Sequence, residues 1–163
     1  MCAMTEISHT ERIQDGLSAL VNAPVSLMRL DASGKCEKCQ ANLILSKGRV
    51  LLVALPMPFE GELFTRIGKL AKKMKTSLEI ETVVLLQEEA SKLLKPFSFS
   101  ILCDPENAIG ETFDLIEGES YHIFICEGTV HYAEPWTDNP KSKDLISKIS
   151  GVFPQSDKSC KFQ

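Results

Sequence analysis

Cys36 and Cys39 are the residues whose type and spacing most directly suggest chemistry. They enclose Glu37-Lys38 in a C-x-x-C arrangement, and such a pair can cycle between a dithiol and a disulfide when nearby positive charge lowers a thiol pKa. Lys35 and Lys38 could supply that charge. The pair falls in a predicted β-hairpin, however, where no helix dipole supports a thiolate. A redox pair, a metal-binding pair and an incidental exposed pair therefore remain open, with the incidental pair as the default.

A metal site has little support in this sequence. Zinc would need two further ligands, and there is no second C-x-x-C and no H-x-x-H. We therefore expect no metal and no cofactor. Cys103 and Cys126 lie within apolar strand patterns, so we expect both in the core, because a free cysteine packs like a small hydrophobic residue.

Two histidines, His122 and His131, fall on neighbouring strands of a predicted hairpin. They could meet across it, but we interpret them as polar residues on a half-solvated face. The P-loop, dinucleotide-binding, zinc-protease and serine-hydrolase motifs are absent from the sequence.

Composition places the chain among soluble globular proteins. Its 163 residues, 44% apolar and 25% charged, predict one domain over residues 1–163, with a core at about 22–150 and a flexible tail at 151–163. The net charge of −4 gives no argument for nucleic acid or an anionic membrane. The longest apolar run, 50–55, is too short to cross a bilayer. No secretory signal is recognisable, so we expect a cytoplasmic protein with reduced thiols.

The stretch from Arg49 to Met74 is the centre of the predicted fold. Arg49–Leu55 is an apolar, β-branched run of the length expected for a strand covered on both faces. It breaks at Pro56-Met57-Pro58-Phe59, and a helical stripe follows, formed by Leu63, Ile67, Leu70, Ala71 and Met74.

The remaining patterns alternate between strands and helices. Helices are predicted at 5–21, 88–94, 140–149 and after Asp104, which would act as N-cap with Pro105 at the first helical position. Strands are predicted at 25–30, 36–46, 78–86, 97–102, 121–126 and 129–133, the last two joined by Glu127-Gly128. This order predicts an α/β protein with a mixed central sheet and helices on both faces.

Three stretches then match the pattern of a known family. Asn22-Ala23-Pro24 is similar to its G-x-x-A-P-x-F-x-L entry, and Leu55-Pro56-Met57-Pro58-Phe59 is similar to the core strand followed by the P-x-x-F of P-x-x-F-T-x-x-C. Residues 97–105 and 121–130 are similar to its F-P-L-L-S-D strand, its F-V-I-D strand and the G-x-I return. Over residues 22–135 the chain thus resembles the thioredoxin-like superfamily, in its peroxiredoxin (AhpC/TSA) branch. The resemblance implies a thioredoxin-like three-layer sandwich with an N-terminal helix and β-hairpin extension.

The chain departs from this family where its chemistry takes place. With Pro56 and Phe59 aligned, the family's threonine falls on Glu60 and its peroxidatic cysteine on Leu63. Leucine cannot form the thiolate that attacks a peroxide. The family's arginine falls near Ser120, and thioredoxin's C-x-x-C is absent from this loop.

Two functions therefore follow from the sequence. The first is a peroxiredoxin-like protein that has lost its catalytic cysteine and binds a protein partner, a homodimer being one form. It would use the loop with Pro56, Pro58, Phe59, Glu60 and Leu63, together with Trp136. The second is a thiol-disulfide oxidoreductase that uses Cys36 and Cys39, with Cys160 as an exchange partner.

Overall fold

The computed structural model describes residues 8–55, 61–89, 99–136 and 142–152. The helices in these ranges are α1 (His9–Asn22), α2 (Ala41–Leu45), α3 (Gly61–Leu78), α4 (Ala108–Thr112) and α5 (Ser142–Gly151). The strands are β1 (Ser26–Leu30), β2 (Cys36–Gln40), β3 (Arg49–Leu55), β4 (Glu81–Leu86), β5 (Ser100–Cys103), β6 (Ser120–Cys126) and β7 (Thr129–Trp136). Within the described residues they form one mixed sheet in the order β2-β1-β5-β4-β3-β6-β7.

Strand β3 lies at the centre of the fold. It pairs in parallel with β4, Val53 opposite Val84, and antiparallel with β6, Val53 opposite His122. Its side chains alternate between two hydrophobic clusters, because successive residues of a strand point to opposite faces. Leu51 and Val53 belong to one cluster, which we call the α3 core, and Val50 and Leu52 belong to the other, the α1 core.

Helices cover both faces of the sheet. Helices α3 and α5 pack on one face through an apolar stripe that includes Phe64, Ile67, Met74 and Ile149. Helices α1, α2 and α4 pack on the other face. The predicted α/β sandwich with a mixed sheet and helices on both faces is therefore confirmed, and the hairpin β1–β2 extends the sheet beyond β5.

Helix α1 is capped at its N-terminus and contacts both β7 and α4. Ser8 caps it in a reciprocal capping box with Glu11. The carboxamide of Gln14 donates to the Gly128 carbonyl at 3.3 Å and accepts from the Val130 amide at 2.7 Å. A Cβ added to Gly16 would lie 2.5 Å from the Thr112 carbonyl, so the close approach of α1 to α4 requires glycine here.

The predicted hairpin around Glu127-Gly128 is confirmed. Both residues have positive φ, 48° and 81°, as in the two-residue turns that suit the twist of a hairpin. Strand β7 continues to Trp136, three residues beyond the predicted end at Ala133, and so places the tryptophan inside the sheet.

Two predicted boundaries are wrong. Residues 41–45 form α2 instead of continuing β2, because Ala41 and Leu45, four residues apart, are buried on one helical face. Helix α3 runs to Leu78, so the following strand begins at Glu81 and not at residue 78. Most of the predicted helix 88–94 and most of the tail 151–163 lie outside the described residues.

The predicted role of Asp104 as N-cap is also corrected. Helix α4 begins at Ala108, after Asn107, whose φ of 57° is left-handed. The Asp104 carboxylate nevertheless accepts hydrogen bonds from the amides of Ala108 at 2.8 Å and Ile109 at 2.9 Å. Asp104 therefore satisfies the first amides of the helix from four residues away.

None of the described helices combines the length and the apolar character that a membrane crossing requires.

We predict that Asp104→Ala lowers the free energy of unfolding by about 1–2 kcal/mol, as the loss of a helix cap does. The side chain is buried, with 2% exposure, and its removal leaves the Ala108 and Ile109 amides without their acceptor. Urea denaturation measures the effect, with Glu111→Ala, at an exposed position of the same helix, as the control. Equal stability of the two variants would contradict this role for Asp104.

Candidate functional site

The chain leaves the central sheet at Leu55 and enters α3 at Gly61. Four of the loop residues singled out from the sequence, Pro56, Pro58, Phe59 and Glu60, lie outside the described residues. Leu63 lies in the first turn of α3, half-buried, and packs against the α3 core. From Arg49 to Leu78 the chain contains no cysteine. In the described part of this junction, Leu63 therefore makes an apolar contact, and no cysteine is available as a nucleophile.

The charges at this helix end are paired with each other. Glu62 lies in the first turn of α3, where the helix dipole favours a carboxylate. The Arg66 guanidinium donates to the Glu62 carboxylate at 2.6 Å. Since both side chains are largely exposed, the pair contributes little to stability. Its consequence is electrostatic: the positive charge beside Leu63 is balanced by a neighbouring carboxylate.

The structure separates Cys36 and Cys39. In the register of β1 with β2, Cys36 is opposite Leu30, in the α3 core, and Cys39 is opposite Leu27, in the α1 core. The two thiols therefore lie on opposite faces of the sheet. A strand rises about 3.3 Å per residue, which puts their Cα atoms about 10 Å apart, beyond the ~7 Å that a disulfide can bridge. Both thiols are free, and β2 would have to unfold locally before they could join.

The environments of Cys39 and Cys103 disfavour thiolate formation. Burial raises the pKa of Cys39, and the nearby Arg29 guanidinium offsets this only in part. Burial raises the pKa of Cys103 to about 11, and the charges of Cys36 and Glu88 act in the same direction. A raised pKa leaves less of the nucleophilic thiolate at neutral pH.

The two cysteines expected in the core are both buried there. Cys103 and Cys126 each have 2% exposure. Cys126 is disulfide-bonded, so the expectation of reduced thiols is wrong at this position.

A cavity of about 750 Å³ lies beside β1 and the end of β5. Cys36 and Cys103 line it, together with three carboxylate side chains, those of Glu89, Asp104 and Glu106. Among the described residues no group of three or more His, Cys, Asp or Glu side chains could hold a metal ion.

His122 is the buried polar residue that differs most from its prediction. It has 2% exposure and lies opposite Glu134, not opposite His131. The interpretation as a half-solvated cross-strand residue is therefore wrong. Burial, with a smaller contribution from the Lys148 charge, lowers the pKa of His122 to about 3, so the imidazole is neutral at physiological pH.

The His122 ring stacks on Trp136. Their centroids are 4.9 Å apart and their planes are 13° from parallel. Both rings line a cavity of about 190 Å³ between β6, β7 and α5. Nε2 of His122 and Nε1 of Trp136 are buried and have no hydrogen-bond partner among the residues that the structure describes. Trp136, proposed from the sequence as a partner surface, is half-buried at this cavity.

Three polar side chains at the same cavity form their own network. The Tyr132 hydroxyl donates to the Glu134 carboxylate, and Lys148 Nζ lies 3.6 Å from the same carboxylate. Burial raises the pKa of Tyr132, and the Glu134 contacts raise it further. These three side chains therefore satisfy one another, whereas the two ring nitrogens remain unsatisfied.

Comparison with known proteins connects this arrangement to one fold. No family model matches the chain, and no curated protein matches it. Several solved structures match the chain. Enterococcus faecalis AhpC matches with a TM-score of 0.63 at 11% identity, covering 78% of this chain and 87% of that chain. The mitochondrial 2-Cys peroxiredoxin of Plasmodium falciparum matches with a TM-score of 0.62 at 10% identity, covering 79% and 89%. The reduced 2-Cys peroxiredoxin of Plasmodium vivax matches with a TM-score of 0.62 at 13% identity, covering 79% and 91%.

The chain has the thioredoxin-like fold of the peroxiredoxins. The fold that the sequence resemblance implied is therefore confirmed. At identities of 10–13% the likeness concerns the fold alone, because activity is determined by the residues of a site.

Within this peroxiredoxin-like fold, the His122–Trp136 cavity was missed by the sequence interpretation. A signal for His122 was present: it is the one strongly polar residue in the run Tyr121–Cys126, whose length and apolar character indicate burial on both faces. The stack with Trp136 could not be inferred, because β7 was predicted to end at Ala133.

We predict that His122 makes the stability pH-dependent. Its pKa is about 3 in the folded state, below the usual 6.5, so between these values the unfolded state binds a proton that the folded state does not. The free energy of unfolding therefore falls as the pH falls through this window, by at most about 1.4 kcal/mol per pH unit. Urea denaturation at pH 7, 6 and 5 measures this slope.

His122→Gln should flatten the slope, because the titrating group is removed. His131→Gln controls for the loss of a histidine elsewhere on the same hairpin. An unchanged slope in His122→Gln would show that other groups account for the pH dependence.

Proposed function

We propose that this chain is a peroxiredoxin-like protein that acts by binding and not by catalysis, in the cytoplasm. The observation that carries the proposal is the absence of any cysteine between Arg49 and Leu78. This stretch contains the core strand and the helix that in the resembling family carry the peroxidatic thiol, and Leu63 stands at the aligned position.

The charges around Leu63 support the same conclusion. A peroxidatic thiolate needs positive charge nearby, but Arg66 is paired with Glu62. Leu63 itself packs on the α3 core, so its side chain contributes to stability at a place where a nucleophile would have to be exposed.

A thiol-disulfide oxidoreductase that uses Cys36 and Cys39 is the second candidate. The exposure of Cys36 beside a cavity of about 750 Å³ favours it, since a substrate could reach that sulfur. The separation of the two thiols on opposite faces and the raised pKa of Cys39 count against it. We therefore rank it below the binding function.

The proposed partner is a protein, and a second copy of this chain is the simplest case. The surface we assign to it combines the loop with Pro56, Pro58, Phe59 and Glu60, the adjacent Leu63, and the exposed part of Trp136. Leu63 and Trp136 both pack against the α3 core, so they belong to the same side of the sheet.

We predict that the purified protein consumes hydrogen peroxide no faster than an equal concentration of free cysteine. A fluorescent dye assay for the remaining peroxide measures the rate of consumption. The reductant is first dithiothreitol and then thioredoxin. Cys36→Ser and Cys39→Ser should not change the rate, because the two thiols lie on opposite faces of the sheet and cannot form the disulfide of a catalytic cycle. Turnover by the wild type that disappears in Cys36→Ser would refute the binding function and establish the second candidate.

We predict, for the partner surface, that Glu62→Arg changes self-association whereas Lys72→Glu does not. Both residues are exposed on α3, but only Glu62 adjoins Leu63. Sedimentation velocity from micromolar to hundreds of micromolar concentration separates monomer from dimer. A monomer throughout would exclude the second copy as partner, and equal effects of both variants would exclude this part of the helix.

A further inference from the structure

Strand β2 forms one edge of the sheet. Within the described residues it pairs with β1 alone. Its exposed residues are Cys36, Glu37, Lys38 and Gln40. An exposed edge strand presents backbone N–H and C=O groups with which a further strand can pair. The outer side of β2 is therefore a candidate interaction surface.

The hydrogen bonds between β1 and β2 show which backbone groups face this outer side. The Asp31 amide donates to the Lys35 carbonyl at 2.9 Å, and the Ala41 amide donates to the Val25 carbonyl at 2.9 Å. Bonded and non-bonded pairs alternate along an antiparallel ladder, so the odd-numbered residues of β2 bond to β1. The N–H and C=O groups of the even-numbered residues point away from β1; these residues are Cys36, Lys38 and Gln40.

We propose that the outer side of β2 binds a second copy of this chain, with the two β2 strands antiparallel and Cys36 opposite Cys36 of the second copy. A two-fold axis through the midpoint of that pair relates the copies, as in an isologous dimer. The interface goes beyond the proposed function, because it lies at the opposite edge of the sheet from β7 and Trp136.

The charges of β2 favour this register over the neighbouring ones. With Cys36 at the axis, Lys35 lies opposite Glu37 of the second copy, and Glu37 lies opposite Lys35 of the second copy. Opposite charges across two strands stabilise the pairing, and like charges directly opposite destabilise it. Moving the axis to Lys35, Glu37 or Lys38 would place two like charges opposite each other.

Helix α2 disfavours an axis nearer the end of β2. The helix begins directly after Gln40, so the ladder cannot continue past this residue. With the axis at Cys39 or beyond, at most residues 38–40 of each copy would pair, and no opposite charges would meet. The register centred on Cys36 avoids both losses.

Lys35 and Glu37 already interact within one copy. The Lys35 Nζ lies 3.8 Å from the Glu37 carboxylate, and both side chains are exposed. Residues two positions apart point to the same face of a strand, so the interface brings four charges of alternating sign together. Each ammonium group gains a second carboxylate neighbour, and added salt weakens this attraction by screening.

Sedimentation velocity on charge variants tests the proposal. We expect the fraction of wild-type dimer to rise with protein concentration. Lys35→Glu and Glu37→Lys should each weaken dimerisation about tenfold, because each places like charges opposite each other at both symmetric pairs. The double variant Lys35→Glu/Glu37→Lys restores opposite charges in this register only, so it should recover the wild-type dissociation constant.

Lys38→Glu is the matched control for Lys35→Glu. It makes the same change in net charge on the same strand, but Lys38 lies opposite Gly34 of the second copy in the proposed register. The dissociation constant of this variant should therefore equal that of the wild type.

Cross-linking with a short bismaleimide, which adds one thiol at each end, tests the register independently. The Cα atoms of Cys36 in the two copies should lie about 5.5 Å apart, as in a hydrogen-bonded antiparallel pair. We therefore expect a covalent dimer on a denaturing gel. The control, Cys36→Ser/Gln40→Cys, keeps an exposed thiol on the same edge but separates the two thiols by about 26 Å along the strands. It should give no covalent dimer.

Four results would overturn the proposal. They are a monomer at every concentration, an equal loss of dimer in Lys38→Glu, no recovery in the double charge variant, and equal cross-linking of Cys36→Ser/Gln40→Cys.

The proposed function fails on different measurements. Peroxide turnover would refute it without affecting the pairing of β2. A dimer that responds to changes at Lys35 and Glu37 but not to Glu62→Arg would support the β2 interface and exclude a second copy at Leu63. The reverse response would overturn the β2 interface and keep the surface around Leu63.

Discussion

The burial of β3 on both faces is the constraint on which the rest of the structure depends. Leu51 and Val53 point into the α3 core while Val50 and Leu52 point into the α1 core, and each such side chain contributes about 1.5–3 kcal/mol when fully buried. Because β4 is parallel to β3, the chain must cross over the sheet between them, and α3 is that crossover. The pairing of β3 with β4 thus places the exit from the sheet at the carboxyl-terminal end of β3, after Leu55, whatever residues follow.

The sequence predicted the fold best where pattern and burial agree. Arg49–Leu55, the Glu127-Gly128 turn and the stripe of α3 were all correct because each is determined by local spacing. The predictions failed for short segments whose sequence suits more than one secondary structure. The sequence of residues 41–45 is compatible with a strand and with a helix of about one and a half turns. Only the packing of Ala41 and Leu45 in the α1 core decides between the two. Asp104 acts over four residues, so its partners could not be read from its neighbours in sequence.

The candidate sites could be predicted only in part, for a related reason. The absence of a cysteine near Leu63 is visible in the sequence, and so is the C-x-x-C of Cys36 and Cys39. Whether two cysteines three positions apart can meet depends on the backbone between them, since a helical turn brings them together and a strand separates them. The pairing of His122 with Trp136 depends on tertiary register, which local patterns do not contain.

The hydrogen bonds of Gln14 limit how a strand of another chain can pair with β7. Its carboxamide occupies the Gly128 carbonyl and the Val130 amide, which are backbone groups at the beginning of an outer strand. An exposed strand edge invites pairing with a strand of another chain. In β7 the first positions of that edge are already occupied by a helix side chain, so sheet-to-sheet addition cannot start there. Helix α1 therefore blocks strand pairing at the start of β7 and also covers the α1 core.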